Sequence, residues 1–119
     1  MVFDGAIVAD LREMLPAAEF NGLLQRAAEA LPATIKELRQ AWDGRDREEA
    51  RRLAHKLAGL AGNFGCLALM NLARRLEKVF ADQPPKRPER LLLEVDSLLP
   101  PTLEALRLQQ VAATPQPTG

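Results

Sequence analysis

The chain of 119 residues contains no tyrosine, a single cysteine, a single histidine and a single tryptophan. Each scarcity removes a class of answer. One cysteine, Cys66, cannot close an internal disulfide, and no second histidine or cysteine stands at ligand spacing from it, which leaves a zinc site unsupported. The β-branched residues Val, Ile and Thr total only 11, whereas leucine and alanine supply 40, so strands lack their usual building material and helices have theirs. Formal net charge is zero, which removes bulk attraction to nucleic acid or acidic lipid. The N-terminus carries acidic Asp4 and Asp10 where a secretory leader would be basic and then apolar, and the expected compartment is the cytoplasm.

Length fits one domain. The only long uncharged stretch, Leu57 to Ala73, is at the short limit for a membrane span and contains Asn63, Asn71 and three glycines. Two amphipathic helices meeting at a turn explain it better. Charge is uneven along the chain: residues 45 to 90 hold eleven basic and six acidic groups, while both flanking segments are net acidic.

Apolar spacing divides the chain further. Asp4 and Gly5 open a short segment to about Met14, read as a small capping helix. From Pro16, a residue suited to a first helical turn, Phe20, Leu23, Leu24, Ala27, Leu31, Ile35, Leu38 and Trp42 form the stripe of a long helix that Pro32 should kink. "DGRD" at 43–46 breaks the pattern, and Asp46 with Glu49 makes a variant capping box for a helix from Arg47 to about Phe64. Gly65 stands where a left-handed residue would end it, and Leu69, Leu72, Ala73, Leu76, Val79 and Phe80 begin a new stripe. After the turn "DQPPKRPE" a last stripe runs from Leu91 to Leu106, with Pro100 and Pro101 expected to bend or divide it. These readings give an all-α fold, an antiparallel up-down four-helix bundle with a short N-terminal capping helix, over residues 1–111. Residues 112–119 read as a disordered tail.

On a helical wheel centred on Leu57, the residues Ala50, Leu53, Ala54, Leu60, Ala61 and Phe64 fall within about 60°, whereas His55 lies about 160° away and faces water. Arg51 and Arg52 precede it on that wet face, and Ala58, Gly59 and Gly62 follow. Two interior glycines forfeit about 2 kcal/mol relative to alanine, with no return on a merely solvated face. Clearance for a visiting molecule accounts for them. An exposed neutral imidazole can act as nucleophile, base or metal ligand. Neither a phosphate loop nor a nucleotide site is visible, so phosphate handled by His55 must come from another protein. A helix-turn-helix reading would place Leu67, Ala68, Leu69 and Met70 at the start of a recognition helix, where polar groups should read bases.

The run "AHKLAGLAGNFGCLALMNLARRLE", Ala54 to Glu77, resembles the histidine-containing phosphotransfer (HPt) domain family, through Ala54, His55, Leu57, Gly59, Gly65, Leu72, Leu76 and Glu77. The resemblance implies that His55 accepts a phosphoryl group from the aspartate of a receiver domain and passes it to another. It implies a phosphocarrier and not an enzyme, a monomer without cofactor or metal of its own, with magnesium supplied by the receiver. Its partners would be the receiver domain of a hybrid kinase and response regulators, with neither nucleic acid nor membrane involved. Gly59 and Gly62 would be the clearance for the receiver. One departure stands out: Ala58 replaces the lysine common three residues after the histidine, and Lys56, one residue after His55, lies about 100° round the helix and cannot simply substitute. Arg51 and Arg52 are the candidates to hold the phosphoryl oxygens in its place or to pair with acidic residues of the receiver. The alternative is a phosphorylation-incompetent bundle that only binds receivers. The initial Met1 and the tail suggest a free-standing protein.

Overall fold

A computed structural model describes residues 4–82 and 87–110, and all regular structure among them is helical. The expected disordered tail at 112–119 lies outside the described residues. Five helices follow in order: α1, Gly5–Met14; α2, Ala17–Asp43; α3, Arg47–Asn63; α4, Leu67–Ala81; and α5, Glu89–Leu108. The boundaries follow the chemistry of the chain. Asp4 caps α1 by accepting from the Ala6 amide at 3.0 Å, and Asp46 caps α3 by accepting from the Glu49 amide at 3.1 Å. The reciprocal half of the expected capping box is absent, because the Asp46 amide donates to the Ala41 carbonyl and the Glu49 carboxylate turns to Arg52.

Proline does not divide the helices. Pro16 sits at the N-cap of α2, just ahead of its first turn, and α2 continues through Pro32 as one element. Likewise α5 is undivided across Pro100 and Pro101, and the buried Thr102 hydroxyl donates to the Leu98 carbonyl at 2.8 Å. A proline removes one ladder bond, while burial of the residues on both sides keeps the helix whole.

Helix α2 packs on α3, α3 on α4, α4 on α5, and α5 returns to α2, with α1 against α2. The stripes close one core of Phe20, Leu24, Leu31 and Leu38 from α2, Leu57 from α3, Leu69 and Leu76 from α4, and Leu106 from α5. Each such side chain contributes about 1.5–3 kcal/mol by leaving water. The charge-free stretch 57–73 is split by the α3–α4 turn, and no helix among the described residues is long and apolar enough to cross a membrane.

Two turns position α3, and they share one hydrogen-bond pattern. At the end of α2, Asp46 donates to Ala41 at 2.8 Å and Arg45 to Trp42 at 3.0 Å, with Arg45 left-handed at φ 62. At the end of α3, Cys66 donates to Ala61 at 2.9 Å and Gly65 to Gly62 at 3.1 Å, with Gly65 left-handed at φ 73. Both are Schellman closures, which satisfy the last carbonyls of a helix. Gly65 does more than end α3, because its carbonyl accepts from the Asp4 amide and fastens the entry to α1 across the end of the bundle. A side chain at 65 would place its Cβ 2.2 Å from the Asp4 carbonyl oxygen.

Helices α3 and α4 are also joined at the other end. Arg47, in the first turn of α3, donates to the Phe80 and Val79 carbonyls, each at 2.7 Å, and lies over the Trp42 ring at 5.7 Å. These carbonyls belong to the C-terminal turn of α4, where a cation also meets the negative end of the helix dipole.

Candidate functional site

The one imidazole lies in the middle of α3 with its side chain 76% exposed. Its Nδ1 is 3.0 Å from Oε2 of Glu77 on α4, a carboxylate that is only 28% exposed. A carboxylate accepts hydrogen bonds and cannot donate, so this contact selects the tautomer with the proton on Nδ1. The lone pair of the neutral ring is then on Nε2, which has no partner among the described residues.

Each arginine one turn before His55 is held by a glutamate. Arg51 Nη2 reaches Glu48 at 2.6 Å, and Arg52 forms two bonds with Glu49, at 2.8 and 2.6 Å. The hydrogen bond from Arg52 holds the Glu49 carboxyl below its ordinary pKa. Arg51 is pushed above its usual value by the Glu48 hydrogen bond and charge, with a further pull from Glu77. Arg52 is pushed up in the same way by Glu49 and, more weakly, by Glu37. The two guanidiniums therefore lie on different flanks of α3, Arg51 toward α4 and Arg52 toward α2. Lys56 is exposed, one residue beyond His55 and about 100° round the helix.

The small residues divide in a way the wheel does not predict. Gly59 is exposed, and a Cβ added there would meet nothing within 4 Å. Ala58 is only 6% exposed, so it belongs to the core and not to the wet face. Gly62 is half-buried, and a Cβ there would lie 2.9 Å from Met70 Sδ on α4. Both corrections have one cause. The buried residues of α3 are centred nearer Ala61 than Leu57, because α4 covers the flank that carries Ala58 and Gly62. Leu60 and Phe64, expected in the core, are half-buried on the opposite side of that centre.

Glu77 is the partner of His55 that spacing along one helix does not reveal. The signal is the turn: His55 lies ten residues before Gly65 and Glu77 twelve after it, a near-equal distance in a helical hairpin. Cys66 is buried with Sγ 3.9 Å from the Phe64 carbonyl, and burial pushes its thiol up to about 11. Such a thiol stays protonated at neutral pH and is a poor nucleophile. No group of three or more His, Cys, Asp or Glu side chains among the described residues is arranged to hold a metal ion.

Comparison with known proteins bears on this arrangement. No curated protein matches the chain. Its fold is similar to that of histidine-containing phosphotransfer protein B (HptB) from Pseudomonas aeruginosa PAO1, with a TM-score of 0.84 and 19% identity, over 92% of this chain and 94% of that one. A family model described as "Hpt domain" matches residues 22–114, a span that contains His55, Glu77 and both turns of α3. With most of its length matched by that model, the chain belongs to the Hpt domain family.

Proposed function

We propose that this protein is a phosphorelay carrier in which His55 Nε2 takes a phosphoryl group from the aspartyl phosphate of one receiver domain and gives it to the aspartate of another. The observation that carries the reading is the exposed imidazole with Nδ1 engaged by Glu77, one turn before the open surface at Gly59. The Nε2 lone pair attacks phosphorus, the P–O bond to the receiver aspartate breaks, and that carboxylate leaves with the bonding electrons. The Nδ1 proton stays in place, and the Glu77 carboxylate balances the positive charge that develops on the ring. Return to a second receiver reverses these events. The receiver supplies magnesium and the groups that neutralise the transferring phosphoryl. In this reading the carrier has no nucleotide site, works as a cytoplasmic monomer, and uses residues 1–111 as one domain with α2 to α5 as an antiparallel up-down bundle. Short connections and the closed ring of helix contacts support that topology.

Lys56 and Gly59 belong to the docking face. Arg51 and Arg52 reach the phosphoryl oxygens only by leaving Glu48 and Glu49. Gly62 acts indirectly, by seating Met70 next to that face. A receiver-binding bundle without phosphorylation is the second reading, favoured by the pairing of both arginines and by a buried alanine at 58.

One experiment separates the two readings. The chain is incubated with a panel of phosphorylated receiver domains from the same genome, and acid-labile, base-stable phosphate is measured. Label on the wild type that is lost in His55→Gln supports the carrier. Receiver binding without label supports the bundle that only binds. Glu77→Ala should leave the helical content unchanged and slow transfer at least about tenfold, corresponding to about 1.4 kcal/mol, because Nδ1 loses its acceptor.

A further inference from the structure

Helix α4 has two flanks, and His55 uses only one. On a wheel with Leu76 at zero, Glu77 falls about 100° to one side and Arg75 about 100° to the other. On the Arg75 side, α4 and α5 bound an open groove of about 570 Å³. Its apolar lining includes Ala68, Leu72, Leu93 and Leu98, and Leu93 is 65% exposed, one of the few large apolar side chains left in water. Arg75 lines the groove from α4 and Arg90 from α5. Lys78, one turn beyond Arg75 and about 60° from it on the wheel, is exposed outside the lining.

The charge along the groove differs from that of α3. Arg51 and Arg52 are neutralised by glutamates on their own helix, whereas Arg75 and Arg90 form no ion pair within the chain among the described residues. Glu94, one turn after Arg90, is the acidic member of the lining and leaves the rim net positive. A trough between two helices, with an apolar floor and cationic edges, has the shape and charge to seat a third helix that presents leucine-like anchors one turn apart and carboxylates beside them.

The geometry points to the α4–α5 groove as a second docking surface, for an acidic amphipathic helix of a partner protein, engaged independently of the His55 face. It goes beyond the carrier reading and stands without it. Because the groove and Glu77 occupy opposite flanks of α4, a helix seated there leaves the imidazole accessible. The exposed arginines make the attraction sensitive to salt.

The test uses the full chain and a synthetic peptide of about 18 residues with leucines at i, i+3, i+4 and i+7 and glutamates elsewhere, by analogy with helix-in-groove ligands. Amide NMR shifts should move saturably at residues 68–75 and 90–98 and stay fixed around His55, equally in wild type and His55→Gln. Leu93→Ser alone, and Arg75→Glu with Arg90→Glu, should each weaken binding about tenfold or more with helical content unchanged. The same variants should accept phosphate at the wild-type rate, so failure here is distinguishable from failure of the carrier reading. Equal binding of a peptide with lysine in place of glutamate overturns the proposal, as do shifts centred on α3. Tighter binding of anionic phospholipid vesicles or single-stranded RNA overturns the choice of a protein helix. Concentration-dependent shifts of the groove without any probe assign it to a second copy of this chain and overturn it equally.

Discussion

The turns at the two ends of α3 use the same pair of backbone hydrogen bonds, yet one has arginine at the left-handed position and the other glycine. Arg45 is exposed there, and its side chain has somewhere to go. Gly65 is buried under the backbone of Asp4. The left-handed conformation alone costs a non-glycine residue about 1–2 kcal/mol, a burden one turn of this protein carries. What excludes a side chain at 65 is therefore the neighbour more than the dihedral angle. The comparison separates two roles of glycine that are easily confused: permitting a conformation and permitting a contact.

The largest expected effect comes from forcing the two ends to be alike. Gly65→Ala should lose about 2–3 kcal/mol in denaturant unfolding, the conformational cost plus displacement of Asp4 and its hydrogen bond. Gly65→Asn sharpens the point, since asparagine tolerates the left-handed region but still carries a Cβ. A loss comparable to that of alanine places the cost in the contact, and recovery to near wild type would place it in the dihedral angle.

Next in size is a difference in pH response between the two ends. Burial raises the Cys66 thiol from 9.0 to about 11, so the unfolded chain loses this proton first as pH rises. Its contribution to stability is complete below pH 9 and decays toward pH 11, about 1 kcal/mol being lost by pH 10. Cys66→Ala should flatten that part of the profile. At the other end the Glu49 carboxyl is held low by Arg52, so its contribution is present above the ordinary carboxylate range and fades as pH falls. That acid response should be slight and should vanish in high salt, because the pair is exposed.

Smaller effects follow at the remaining positions. Gly59→Ala should stabilise the fold by about 0.5–1 kcal/mol, since the added methyl meets nothing and helix propensity improves. Gly62→Ala should stay within about 0.5 kcal/mol of wild type, because the same gain is offset by the shift of Met70, a flexible neighbour. Thermal melts of the two variants should therefore diverge. Last, Arg45→Gly should stabilise by up to about 1 kcal/mol, by relieving the left-handed arginine at some cost in chain entropy.

The sequence makes one-dimensional features legible. Apolar spacing located the helices to within a residue or two, Asp46 marked the start of α3, and the position of Gly65 anticipated its left-handed backbone. Features that depend on a neighbouring helix are less accessible. Leu57 is a good centre for α3 considered alone, but α4 draws the buried arc toward Ala61, which carries Ala58 into the core and Gly62 against Met70. The arginines were legible as cations near His55. Their partners, three residues earlier at Glu48 and Glu49, were equally present in the sequence and decide where the guanidiniums point. Glu77 lies 22 residues from His55 and becomes a partner only once the hairpin is folded.

Arg47 grips the last carbonyls of α4, and the Schellman turn ties the other end, so α3 and α4 are fastened to each other at both extremities. If the protein is the proposed shuttle between receivers, its performance is measured by turnover, and turnover depends on how long each encounter lasts. The pinned hairpin holds His55 and Glu77 in one register, and in the proposed carrier reading no rearrangement would have to precede docking or follow it. In that reading association would proceed at the pace of rigid-body encounter, about 10⁵–10⁷ M⁻¹ s⁻¹, and the complex would part without waiting for the carrier to relax. Stiffness at the two ends of the hairpin would then become brevity of contact at its middle.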